Sequence, residues 1–187
     1  MDDIGKEMDG GKELLRWNRV LSVFAWLGTA WTIYLIGALF FSSDFTIAMK
    51  TSHGTKLLTA VDFNRTQRLV TSIIVLPPIL CWMSCLFQVL RLSSCFSKGE
   101  ILSIGVARCL ELFGYGLAMQ GIAESVQIPI LSTYLIGQGI IDSVDGVWET
   151  VVGGGVLTSM LAAVLVVVIA RILRIGIRLR EDAELTI

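Results

Sequence analysis

The sequence predicts an all-α membrane protein: a four-transmembrane-helix bundle with cytoplasmic N and C termini and a small outer loop cap. Three observations lead there. Residues 20–41, 69–90 and 151–170 contain no Asp, Glu, Lys or Arg over 22, 22 and 20 positions, and a helix needs roughly 20 apolar residues to cross the hydrocarbon core. Only 17% of the 187 residues are charged, with a mean hydropathy of +0.73, against about 25% charged in an average soluble domain. Finally, Lys6, Lys12, Arg16 and Arg19 precede the first apolar run, and Arg171, Arg174, Arg178 and Arg180 follow the last. Basic residues stay on the cytoplasmic side, so both ends lie inside and the number of spans is even.

The first span, 20–41, exceeds the roughly 7 to 15 residues of a signal-peptide core, and no small-x-small cleavage site follows it. It is read as retained. The outer loop that follows is longer than an unstructured connection of about 12 to 15 residues. In it Phe45 to Met49 alternates weakly, Ser52-His53-Gly54 offers a turn, and Leu57 to Val61 is a second apolar piece. That pattern predicts a hairpin cap. Asn64-Arg65-Thr66 matches a glycosylation sequon, which has meaning only in a eukaryotic secretory route.

The second span, 69–90, carries Pro77 and Pro78 near its middle, where backbone hydrogen bonds must be lost. They form either a static packed kink or a hinge. Arg91 and Lys98 then mark a cytoplasmic loop. The third span, 103–124, is the least clean, holding Arg108, Glu111, Gln120 and Glu124. After it, 125–141 is apolar but interrupted by Pro129 and two glycines, which predicts a short interfacial or re-entrant segment. Asp142, Asp145 and Glu149 belong to an acidic outer loop, and the fourth span covers 151–170. In this arrangement eleven of the fifteen Lys and Arg residues lie inside and four outside.

Chemistry concentrates in the third span. At about 100° per residue, Ala107, Glu111, Gly114, Ala118 and Gly121 share one helix face, and small residues there permit close helix packing. A charge at bilayer depth costs at least roughly 2.5 to 3.5 kcal/mol. Glu111 is therefore read as half of a structural clasp, accepting from Arg108 or from a neighbouring helix. The alternative is a proton- or cation-sensitive switch. Gln120 and Glu124 lie roughly opposite Glu111, so no single polar file runs along the helix. Gly155, Ser159 and Ala163, four apart, make a second close-packing face, within the chain or between copies.

Motifs for catalysis and cofactors are missing. The one histidine is His53, and no P-loop, HExxH or GxSxG occurs. Cys81 and Cys85 have a spacing a metal could use, but no His, Asp or Glu shares their turn, so packing is expected. With Cys95 and Cys109 they lie away from the outer side, and structural disulfides are not expected. Neither an enzyme nor a cofactor is expected.

The fourth span continues into a basic stretch in which Arg171, Arg174 and Arg178 fall on one face. With Arg180 they would attract anionic lipid headgroups, at about 1 kcal/mol each. The polarity reverses at Glu181 to Ile187, a tail suited to docking a cytoplasmic protein. At the other end, Trp17 is read as an interfacial anchor.

Phe96-Ser97-Lys98-Gly99-Glu100-Ile101-Leu102-Ser103, and the closing segment from Arg174 to Ile187, resemble a bacterial membrane family catalogued as domain of unknown function 2975. In that family a lysine-glycine-glutamate-type turn precedes the third span, and a basic-apolar stretch, acidic residues and a Leu-Thr-Val-like end close the chain. Here Ala183 and Ile187 depart from the usual polar residue and valine. The resemblance implies four spans, a bacterial inner membrane and no established activity. It also implies a gene often found beside a small helix-turn-helix regulator. The expected function is a non-enzymatic membrane sensor or regulatory protein with a cytoplasmic partner and no direct nucleic-acid contact. The alternative is a transporter or channel subunit working as a homo-oligomer.

Overall fold

The computed structural model describes residues 3–41, 46–51, 54–59, 63–99, 103–141 and 155–184. These form four helices and one hairpin: α1 (Asp3–Phe41), β1 (Thr46–Thr51), β2 (Gly54–Thr59), α2 (Arg65–Ser97), α3 (Ile104–Gly137) and α4 (Gly155–Glu184). The proposed turn residues Ser52 and His53, the acidic residues Asp142, Asp145 and Glu149, and the last residues 185–187 lie outside the described residues, as does the Trp17 side chain.

Three stretches are long and apolar enough to cross a membrane: Asn18–Phe41, Arg65–Ser97 and Val156–Glu184. Their surfaces agree. Phe24, Trp26 and Trp31 on α1, and Leu161, Val164 and Leu165 on α4, are each about 60% exposed or more. A water-soluble monomer rarely leaves so continuous an apolar surface open. The fourth helix, α3, matches them in length, but polar residues recur along it and it is not among the three.

Principal helix contacts run α1 to α2, α2 to α3 and α3 to α4. Each pair is antiparallel: Asn18 meets Ser93 while Leu39 meets Ser72, Cys85 meets Gly116, and Gly114 meets Ala163. The outer helices bury narrow seams with seven-residue spacing, Asn18, Ala25, Thr32 and Leu39 on α1, and Val156, Ala163, Ala170 and Ile177 on α4. A strict period of seven keeps one stripe facing the partner only if the helices wrap gently left-handed. The middle positions of the seams, Ala25, Thr32, Ala163 and Ala170, are small because close approach requires small residues, whereas large apolar side chains lose nothing by facing lipid.

Polar contacts fasten α1 to α2 at both ends. Ser93 donates to Asn18 Oδ1 at 2.7 Å, both residues being buried. At the other end Ser72 donates to the Leu39 carbonyl at 3.2 Å, and the Arg68 guanidinium reaches the Leu39 and Ala38 carbonyls at 3.4 and 3.5 Å. The last carbonyls of a helix lack intrahelical partners and carry partial negative charge, so this cation caps α1. Replacing Ser93 with alanine leaves Asn18 Oδ1 without that donor. The expected loss is about 1 to 3 kcal/mol, read as a lower unfolding midpoint in detergent.

The expected cap is present. β1 pairs with β2 antiparallel, from Thr46 opposite Thr59 to Thr51 opposite Gly54. Leu58 of β2 and Phe63 pack with Leu131 and Leu135 of α3 and with Ile141, a small core at the end where α2 starts and α3 stops. Asn64 begins α2 with a capping box closed by Gln67, whose side chain also donates to Gln138 at 3.1 Å.

This cap corrects the reading of 125–141. It is no separate re-entrant segment: α3 continues through Pro129 to Gly137. Proline inside a helix costs about 3 kcal/mol, and burying Leu131 and Leu135 under the hairpin returns about 1.5 to 3 kcal/mol each. The helix stops where Gly139 adopts φ +67, with its N–H donating to the Ile136 carbonyl and that of Ile140 to Leu135. Such a stop needs a residue free to take the left-handed region, hence glycine. Gly99, at φ +77, does the same after α2.

Candidate functional site

The small-residue face of α3 meets α4. A Cβ placed on Gly114 would lie 2.6 Å from Val167 Cγ2 and 3.1 Å from the Ala163 carbonyl oxygen, and one on Gly121 would lie 3.4 Å from the Val156 carbonyl oxygen. Ala107 is fully buried on the same stripe. The Ser159 and Ala163 positions of that α4 face thus pack within the chain, with Ser159 Cβ 3.7 Å from the position of a Gly121 Cβ.

Close approach brings the charges together. Glu111 lies one turn from Gly114 on the non-cap side, and its Oε2 accepts from Arg174 of α4 in an ion pair. The two side chains are 16% and 33% exposed. Tyr115 donates weakly to Glu111 Oε1 at 3.4 Å. Of the two partners foreseen for Glu111, the neighbouring helix supplies the real one, and Arg108 is exposed on α3. A paired carboxylate with one tyrosine hydroxyl beside it is a clasp: its charge is balanced, which lowers the cost of holding it between helices.

Arg174 was the member of the C-terminal basic stripe that sequence reasoning did not connect to Glu111. The usable signal was an acidic residue on a tight face and a basic one at the facing end of an antiparallel neighbour. The stripe is therefore divided. Arg171 and Arg178 are exposed, Arg174 turns to Glu111, and Arg180 pairs with Glu184 one turn on, at 2.8 Å.

Gln120 donates to Glu124 at 3.1 Å, so these two pair with each other rather than with the Glu111 clasp. The Gln120 Oε1 atom is buried without a hydrogen-bond partner, as are Gln88 Oε1 and Thr71 Oγ1 of α2. Pro77 and Pro78 sit inside an uninterrupted α2, Pro77 exposed and Pro78 buried. Cys85 packs against α3, where a Cβ on Gly116 would stand 2.7 Å from its sulfur. Among the described residues no cluster of His, Cys, Asp and Glu could hold a metal ion.

Basic side chains gather at the end opposite the cap. Arg16 and Arg19 from α1, Arg91 and Lys98 near the end of α2, Arg108 near the start of α3, and the arginines of α4 all lie there. Between α2 and α3 at this end, Arg91, Lys98 and Arg108 line a cleft of about 490 Å³.

The family model described as "Protein of unknown function (DUF2975)" matches residues 56–187, from β2 through α4. No curated protein and no solved structure matches the chain.

Proposed function

We propose that this chain, which belongs to the DUF2975 family of proteins of unknown function, is a non-enzymatic regulatory protein of the bacterial cytoplasmic membrane. In this reading α1, α2, α3 and α4 all cross the bilayer, with both termini inside. Polar residues recur along α3, which fits a span covered by α2 and α4 on two sides, since its inward faces need not dissolve in lipid. Collection of the basic residues at one end supports the cytoplasmic assignment of that end.

The Glu111–Arg174 ion pair carries the reading. It joins the tight α3 face to α4, which runs on to Glu184 beyond the clasp. A shift of α3 relative to α4, set by the cap, by lipid or by the paired prolines of α2, changes the position of the C-terminal tail. That tail, with its acidic end, is the surface offered to a cytoplasmic partner such as a helix-turn-helix regulator. Exposed Arg171 and Arg178 hold the adjoining turns to anionic headgroups.

The alternative, an oligomeric transporter or channel subunit, draws support from the unpartnered Gln88 and Gln120 oxygens inside the chain. The scarcity of ionisable residues along the helices disfavours it, because an ion path normally shows more of them. Crosslinking in cells from a photoreactive residue at position 184 separates the two. Recovery of a DNA-binding protein from the full chain, and its loss on deletion of 181–187, supports regulation. Ion flux through the purified protein in liposomes, abolished by Glu111→Gln, overturns it.

A further inference from the structure

The cleft between α2 and α3 at the basic end is lined by Arg91, Ser94, Cys95 and Lys98 from α2 and by Arg108 and Cys109 from α3. No described carboxylate lines it. Elsewhere at this end Arg174 is balanced by Glu111 and Arg180 by Glu184, while Arg171 and Arg178 stand exposed along α4. Arg91, Lys98 and Arg108 have no such acidic partner among the described residues, yet two helices bring them to one hollow of about 490 Å³.

Their placement is set by the fold. Arg91 lies 5.9 Å from the centre of the Phe87 ring one turn back, which steadies its guanidinium. Of the two thiols that line the cleft, Cys109 is buried and Cys95 half-buried. Helix α3 begins beside the cleft, where Gly105 forms part of the wall. Its first turn holds no acidic residue, so the positive end of the helix dipole adds to the field. Gathered like charges repel one another, and an anion in the hollow relieves that repulsion. Guanidinium groups present planar forks of N–H donors matched to phosphate oxygens, and a lysine adds a point charge.

We propose that this cleft is a binding site for a phosphate-bearing anion, held by Arg91, Lys98 and Arg108 with Ser94 as a further hydrogen-bond donor. The phosphate belongs either to an anionic lipid headgroup or to a free ion, and the chemistry of recognition is the same. The site does not depend on the regulatory reading, since it would fill whether or not the tail meets a partner.

The test uses the full chain in phosphatidylcholine nanodiscs, with inorganic phosphate added to the buffer or phosphatidylglycerol added to the bilayer. Half-buried Cys95 lies in the cleft, so its rate of alkylation, followed by mass spectrometry, reports occupancy without any variant. One probe is expected to slow it. Slowing by inorganic phosphate in the neutral bilayer identifies a free anion; slowing by phosphatidylglycerol alone identifies a headgroup. In Arg91→Gln/Lys98→Gln/Arg108→Gln the protecting probe should bind roughly a hundredfold more weakly, at about 1 kcal/mol per cation. Arg171→Gln/Arg178→Gln should leave protection in place. No slowing by either probe, or equal protection in the triple variant, or equal loss in the Arg171 and Arg178 variant, overturns the assignment.

Discussion

Replacing Gly114 with valine is expected to separate α3 from α4. The added Cβ would meet Val167 Cγ2 at 2.6 Å, which a rotamer change could relieve, but also the Ala163 carbonyl oxygen at 3.1 Å. That second atom is backbone, and it can retreat only if α4 moves. Overpacking a tight contact costs typically about 1 to 3 kcal/mol, and a backbone obstacle puts this site at the upper end, about 3 kcal/mol. The loss should appear as a lower midpoint of denaturation in mixed micelles. Gly176→Ala is the matched control: nothing lies within 4 Å of its Cβ position. There alanine should be neutral or slightly stabilising, by up to about 1 kcal/mol from helix propensity.

The second large effect belongs to the clasp. Glu111→Ala strands the Arg174 guanidinium at the α3–α4 contact. Breaking a fully buried pair costs about 3 to 5 kcal/mol, whereas an exposed one is worth about 1 kcal/mol or less. With side chains 16% and 33% exposed, about 1 to 2 kcal/mol is expected, after discounting for solvent and headgroup screening. Arg174→Ala should cost a similar amount, and the double variant little more than either alone, because the two act as one interaction. Arg108→Ala, at an exposed position outside the pair, should stay within about 0.5 kcal/mol. Equal losses for Arg108 and Arg174 would show that Glu111 has been given the wrong partner.

Much of the architecture was legible because lipid imposes simple rules. Charge-free runs of sufficient length mark α1, α2 and α4, and the small-residue stripe of α3 marks the face that α4 occupies. Weak alternation over 45–49, followed by a second apolar piece over 57–61, was enough to predict the β1–β2 hairpin. What was not legible depended on contacts far apart in the chain. Pro129 and two glycines read as a break, since the sequence does not reveal that Leu131 and Leu135 would be roofed by Leu58 and Phe63. Likewise the spacing of Arg108 and Glu111 offered a local partner, while the real one is 63 residues away. The buried seam of α1 escaped notice, and that of α4 was met only at Ala163, for a different reason. In a membrane many large apolar residues face outward, so the packing stripe mixes unremarkable Asn, Ala and Thr positions with Val, Leu and Ile.

The central claim is that the clasp between α3 and α4 sets the working position of the C-terminal tail. Its most direct test is in-cell crosslinking from position 184, carried out in four backgrounds: wild type, Glu111→Arg, Arg174→Glu, and both reversals together. Each single reversal places like charges face to face, and the double reversal restores an opposite pair. The account predicts that the partner trapped by the wild-type tail is lost in each single variant and regained in the double. The same trapped partner at equal yield in all four backgrounds would contradict it.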